Sequence, residues 1–226
     1  MFGFKQFIEL WKTADSLTQA LEDSHVMLET TYEMFTESVK SLRRSDSANV
    51  DIAIHGMDRQ INRYEQLVRR KVLKHMAITG GVNMIPGLIL TSIVIDIERI
   101  GDYAKNIKDL AVSYPGRLQC GRYDEDITRV ENGVGEIYRK VLPALKTSDA
   151  DAARGIMRDH WWSIKKCDEI FADLIASPDP QLNPSDAIAT ALYTRYLKRI
   201  SAHLINIATS IFNPFERIGF REEAET

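Results

Sequence analysis

Cysteine is scarce: Cys120 and Cys167 are the only two in 226 residues, with no CxxC pair. That argues against a disulfide framework and makes a reducing cytoplasm the expected compartment. Seven prolines and twelve glycines are few for this length, against the many tight turns an all-β fold needs. Charge of one sign is also lacking. Lys and Arg number 29 against 32 Asp and Glu, a net −3, so there is no global pull toward nucleic acid or anionic lipid. No apolar run is long enough for a bilayer. The longest, Met84 to Ile97, is broken by Pro86, Gly87 and Asp96, and the N-terminal stretch carries Lys5, Glu9 and Lys12 inside its apolar pattern. Neither a signal peptide nor a membrane span is expected. There is no nucleophile–base pattern, no Gly-rich phosphate loop and no HExxH, so no enzymatic machinery is visible.

Helical periodicity fills the space these absences leave. Hydrophobic residues make up 44% and charged residues 27%, enough for one large or two small domains. Apolar residues recurring at three to four positions predict six helices and no strand. The expected spans are about 17–42, 48–76, 86–114, 124–145, 150–176 and 185–212. Ser45 and Asp46 are the expected cap of the second helix and Ser148 and Asp149 that of the fifth. Gly80-Gly81, Pro115-Gly116 and Asn213-Pro214 act as stops.

The two halves repeat. Phe35, Val39, Leu42, Ser45 and Asp46 match Tyr138, Leu142, Leu145, Ser148 and Asp149 at a shift of 103. Asp58 to Asn62 matches Asp159 to Ser163 at 101, and Ile97 to Ile107 matches Leu197 to Ile207 at 100. Three blocks in one order mean a duplicated three-helix unit. The expected division is 1–118, an N-terminal extension plus the first repeat, and 119–226, the second. A single unit has a thin core, so the halves should pack into one body.

Glu98, Asp102 and Asn106 follow at spacings of four and share a helix face, as do Asp58 and Asn62 on the preceding helix. If the two helices are antiparallel neighbours, Asp58, Asn62, Glu98 and Asp102 form an all-oxygen set suited to a hard divalent cation. A lone ExxxD is more often a solvated face. His25, Glu29 and Glu33 make a second such row, for which an exposed face is again the plainer reading. Arg99 and Arg199 read as partners of local carboxylates, and Asn106 and Asn206 as partners of neighbouring helix groups.

Asp96-Ile-Glu-Arg-Ile-Gly-Asp-Tyr-Ala-Lys-Asn-Ile107 closely resembles the signature of the PhoU family of phosphate-uptake regulators, over roughly Ala20 to Phe212. The resemblance implies two tandem three-helix bundles, each with acidic pairs on its second and third helices that hold metal ions. It also implies a non-enzymatic cytoplasmic regulator, a homo-oligomer (dimer), that reaches the membrane only through a phosphate transporter component or a membrane histidine kinase. Asn62 stands where the first repeat should have a carboxylate. Ser163, Lys198 and Ala202 replace three of the four acidic positions of the second, leaving Asp159. A divalent metal (Fe, Zn or Mg) is thus expected in the first repeat at most, with Lys198 standing in for it beside Asp159. Two rivals remain: a helical adaptor with a vestigial metal motif, and a ferritin-like di-metal carboxylate enzyme. The second lacks a repeat of its single Glu22-xx-His25 pattern. Phe4, Phe7, Ile8 and Trp11 form an apolar stripe before the repeats, expected either to fold back on the bundles or to dock a partner.

Overall fold

The structure is a computed structural model that describes residues 15–44, 54–177 and 179–221. The apolar stripe at Phe4 to Trp11 and the expected cap at Ser45 and Asp46 lie outside the described residues. Six α-helices follow one another: α1 Asp15–Arg43, α2 Ile54–Thr79, α3 Met84–Ser113, α4 Asp124–Thr147, α5 Ala150–Ala176 and α6 Pro184–Thr209. Among the described residues there is no strand. Two 3₁₀ turns, Gly121–Tyr123 and Phe215–Arg217, were not expected from periodicity, which needs more than one turn to show.

Local chemistry sets the boundaries. The α2–α3 turn runs through Gly80 and Gly81, both at positive φ, where only glycine escapes a Cβ penalty. The Asp149 carboxylate caps α5 by accepting from the amides of Asp151 and Ala152, and Asn183 caps α6 by accepting from that of Asp186. Helix α6 ends at Thr209, three residues short of the expected Phe212. There the Thr209, Ser210 and Asn213 side chains take over the hydrogen bonding of the last turn and of the chain beyond it.

Helices α1, α2 and α3 pack against one another, as do α4, α5 and α6, giving two three-helix bundles. Helices α3 and α6 form the seam between them, running antiparallel: Asp96 meets His203 near one end, and the Tyr114 hydroxyl meets Asp186 at the other. Helices α1 and α4 also touch, through Phe35 and Tyr138 with ring centroids 5.8 Å apart. Those two residues are equivalent in the repeat. So are Tyr103 and His203, which stack at 5.9 Å, and Asp96–His203 answers Tyr196–Tyr103 across the same centre. Each contact is returned by its repeat mate, the behaviour of an internal two-fold axis. One hydrophobic core runs through both bundles, from Leu17 and Leu42 to Leu204 and Ile211.

Candidate functional site

Gly101 lets α3 approach α2 closely, since a Cβ there would come within 3.0 Å of Ile61 Cδ1. That approach sets the acidic face of α3 against that of α2. The Lys105 ammonium lies between them, donating to Asp58 Oδ1 at 2.9 Å and to Asp102 Oδ1 at 3.1 Å. Burial acts against its charge, but the bonds to Asp58 and Asp102 outweigh it and raise the lysine above its ordinary value. Arg99 adds a cation at the rim, 3.4 Å from Asp102 and 3.6 Å from Glu98. Glu98 is the strained member. Burial, then the charge of Asp102, then that of Glu65 push its carboxyl up to about 7, with Arg99 opposing.

Asp58, Glu98 and Asp102 therefore do come together on one α2–α3 surface, and Arg99 pairs with local carboxylates as expected. Asn62 and Asn106 sit half-buried on the same helices. Two members were missed: Lys105 and Glu65. Both lie seven residues beyond a residue that was noticed, Glu98 and Asp58, and so two turns along the same faces. Among the described residues no three acidic or imidazole groups stand close enough to share a metal ion. The position between Asp58 and Asp102 is held by the chain's own ammonium, so as arranged these residues do not fit a divalent ion there.

The second repeat departs from expectation. Lys198 pairs with Asp168, not Asp159, and Asp159 pairs with the adjacent Arg158 at 2.9 Å on an open surface. The antiparallel register of α5 and α6 explains this, because Lys198 lies beside Cys167, Asp168 and Phe171, more than two turns beyond Asp159. Ser163 is buried and bonds back to the His160 carbonyl. Trp162 closes on Gly133 of α4 with Arg129 stacked 4.4 Å above it, and Trp161 carries Arg221 at 4.3 Å. Trp162 borders an open groove of about 530 Å³ between α4 and α5 that mixes Arg129 and Lys140 with Glu125 and Glu136.

Arg199 is not a carboxylate partner either. Its Nε donates to the Tyr103 hydroxyl at 3.1 Å, and its Nη2 lies 3.3 Å from His203 Nε2. Arginine only donates, so Nε2 accepts and the His203 proton sits on Nδ1, which donates to Asp96 at 2.7 Å. Asn206 completes the group by donating to the same Asp96 oxygen at 3.1 Å, as expected of a partner to a neighbouring helix. This buried polar network at the seam explains the carboxylate that interrupts the apolar run of α3. In α1, Glu29 and Glu33 are exposed, but His25 is half-buried and faces Lys146.

Residues 25–111 match the family model for the PhoU domain. That span runs from about the third turn of α1 to the last turn of α3, and includes every residue of the α2–α3 surface. This segment is similar to a PhoU domain. Beyond it the likeness is one of fold. The crystal structure of PhoU from Pseudomonas aeruginosa superposes with a TM-score of 0.77 at 20% identity, over 87% of this chain and 95% of that one. PhoU from Streptococcus pneumoniae, a phosphate transport system regulatory protein, superposes at 0.68 with 16% identity, over 88% and 93%. No curated protein matches the chain by sequence. The second repeat thus keeps the PhoU architecture while its sequence falls outside the matched span, in line with its loss of three acidic positions. No described helix is long and apolar enough to cross a membrane.

Proposed function

We propose that the protein is a non-enzymatic regulator of phosphate transport or phosphate signalling that works by binding other proteins. The similarity of residues 25–111 to a PhoU domain carries this reading. Its partner would be a phosphate transporter component or a membrane histidine kinase, met from the cytoplasmic side, and the regulator would act as a homo-oligomer, most simply a dimer. Recovery of tagged protein from phosphate-replete cells tests it. A transporter subunit or sensor kinase should co-purify, and recovery of neither would overturn the reading.

In the same proposal, Lys105 serves the first repeat as its cation. A flexible ammonium that bonds both Asp58 and Asp102 neutralises them as a bound ion would, without an exchangeable ligand. Protein prepared without chelators should carry no stoichiometric Fe, Zn or Mg. Lys105→Met frees Asp58 and Asp102 beside Glu98 and should create a weak divalent site, read by elemental analysis and by metal-induced thermal shift. One tightly held metal per wild-type chain would reject this assignment while leaving the regulatory role intact.

A further inference from the structure

The end of the molecule formed by the α2–α3 turn combines exposed apolar side chains with unpaired positive charge. Leu73, Ile78, Val82, Met84 and Ile85 are between 44% and 72% exposed, Ile78 and Leu73 the most. Single exposed apolar residues are ordinary; five around one turn are not. From Gln66 to Ile95 the sequence has four Lys or Arg and no Asp or Glu. Arg69 is held by Glu65 and Lys71 by Asp23, but Arg70 and Lys74 pair with no carboxylate among the described residues. The helix ends add to the polarity. Within the turn, the last carbonyls of α2 accept from Gly81 and Val82, whereas α3 begins with no side-chain cap and no acid in its first turn. Its positive end therefore faces outward at the tip.

The opposite end is the control that the fold supplies. The α5–α6 connection also exposes Phe171, Ile175 and Ile188, yet from Asp168 to Thr194 there are five Asp or Glu and no Lys or Arg. Because α3 and α6 are antiparallel, the two connections lie at opposite ends of the seam. The two connections thus differ in their own charge, and the basic apolar α2–α3 turn is the one suited to a negative surface. The tip is convex, a turn between two helices and not a groove. A protein partner would have to supply a pocket for it, while a bilayer interface accepts a projecting turn directly.

We propose that the α2–α3 tip docks on anionic lipid bilayers. Leu73, Ile78, Val82, Met84 and Ile85 enter the headgroup region while Arg70 and Lys74 pair with lipid phosphates. The attachment is peripheral and reversible, and salt weakens it. It brings the regulator to the membrane without a protein partner, which goes beyond the function proposed above and does not depend on it.

The test uses the full chain with vesicles of phosphatidylcholine alone and of phosphatidylcholine with phosphatidylglycerol, read by co-sedimentation over a salt series. Binding should require phosphatidylglycerol and fall with salt. Arg70→Gln with Lys74→Gln should weaken it about thirtyfold, near fivefold for each basic residue. Ile78→Ser with Val82→Ser should also weaken it while leaving the melting temperature unchanged, and Phe171→Ser with Ile175→Ser should leave binding as it was. Absent binding, or equal binding to both vesicles, overturns the proposal. A fall in melting temperature or a change in oligomeric state on Ile78→Ser with Val82→Ser also overturns it, since the tip would then be covered by the chain itself or by a second copy.

Discussion

Arg43, at the last turn of α1, is the buried cation on which the two repeats converge. Its guanidinium reaches Glu131 at 2.9 Å, Asp124 at 2.8 Å, the Leu118 carbonyl at 2.6 Å and Thr128 at 3.3 Å, tying α1 to the linker and to α4. The Tyr193 hydroxyl donates to the same Glu131 oxygen and brings in α6. Arg43→Met would leave a carboxylate that is only 7% exposed with one neutral partner, and should cost about 3–5 kcal/mol in denaturant unfolding. Arg43→Met with Glu131→Leu should recover much of that, because no buried charge is then left unpaired. Glu98 and His25 predict opposite pH limbs. The Glu98 carboxyl is raised to about 7 in the folded protein, so its protonated form is favoured there. The stability it contributes is full below the ordinary carboxylate value and is lost as pH rises toward about 7. Burial, and then the charge of Lys146, lower His25 to about 4, so its contribution is full above about 6.5 and is lost as pH falls. The two windows overlap between about 4.5 and 6.5 and offset one another, so urea midpoints of Glu98→Gln should fall as pH drops and those of His25→Gln should fall as pH rises.

At the scale of the element, the caps are the cheapest features to test. Asp149 alone satisfies two otherwise open amides of α5, and Asp149→Ala should cost about 1 kcal/mol by thermal or chemical unfolding. That cap, the Gly80-Gly81 stop and the span of α5 were all legible because each depends on neighbours in sequence. So was the meeting of Asp58, Glu98 and Asp102, which needs only the helical period and two antiparallel neighbours. What could not be read was register between helices. The pairing of Lys198 with Asp168 instead of Asp159 is decided by where α6 sits along α5, which no local pattern encodes. Lys105 escaped notice for another reason. Charge on an amphipathic helix reads as solvated unless its opposite helix is known, and the opposite helix here offers Asp58.

For the molecule as a whole, the seam decides whether the repeats are separable. Helix α3 turns Ile93, Ile97, Ile100 and Ile107 inward with no exposed surface, and α6 does the same with Leu197, Ile200, Leu204 and Ile207. Between the two helices lie Asp96, His203 and Asn206, hydrogen-bonded to one another and drawn from both repeats. Cutting the chain after Leu118 would expose apolar surface on each half and strand Asp96 without its imidazole and amide partners. It would also separate Arg43 from Glu131. A three-helix unit of this size has too thin a core to carry such losses. Residues 1–118 and 119–226 made separately should therefore be poorly soluble or molten, with weak near-ultraviolet circular dichroism. Made together in one cell, they should co-purify through a tag on either half and unfold in one transition, because the internal two-fold leaves each half a complement to the other. Two halves that each fold alone and ignore one another would show that the seam joins independent domains, and that the common core is not what stabilises them.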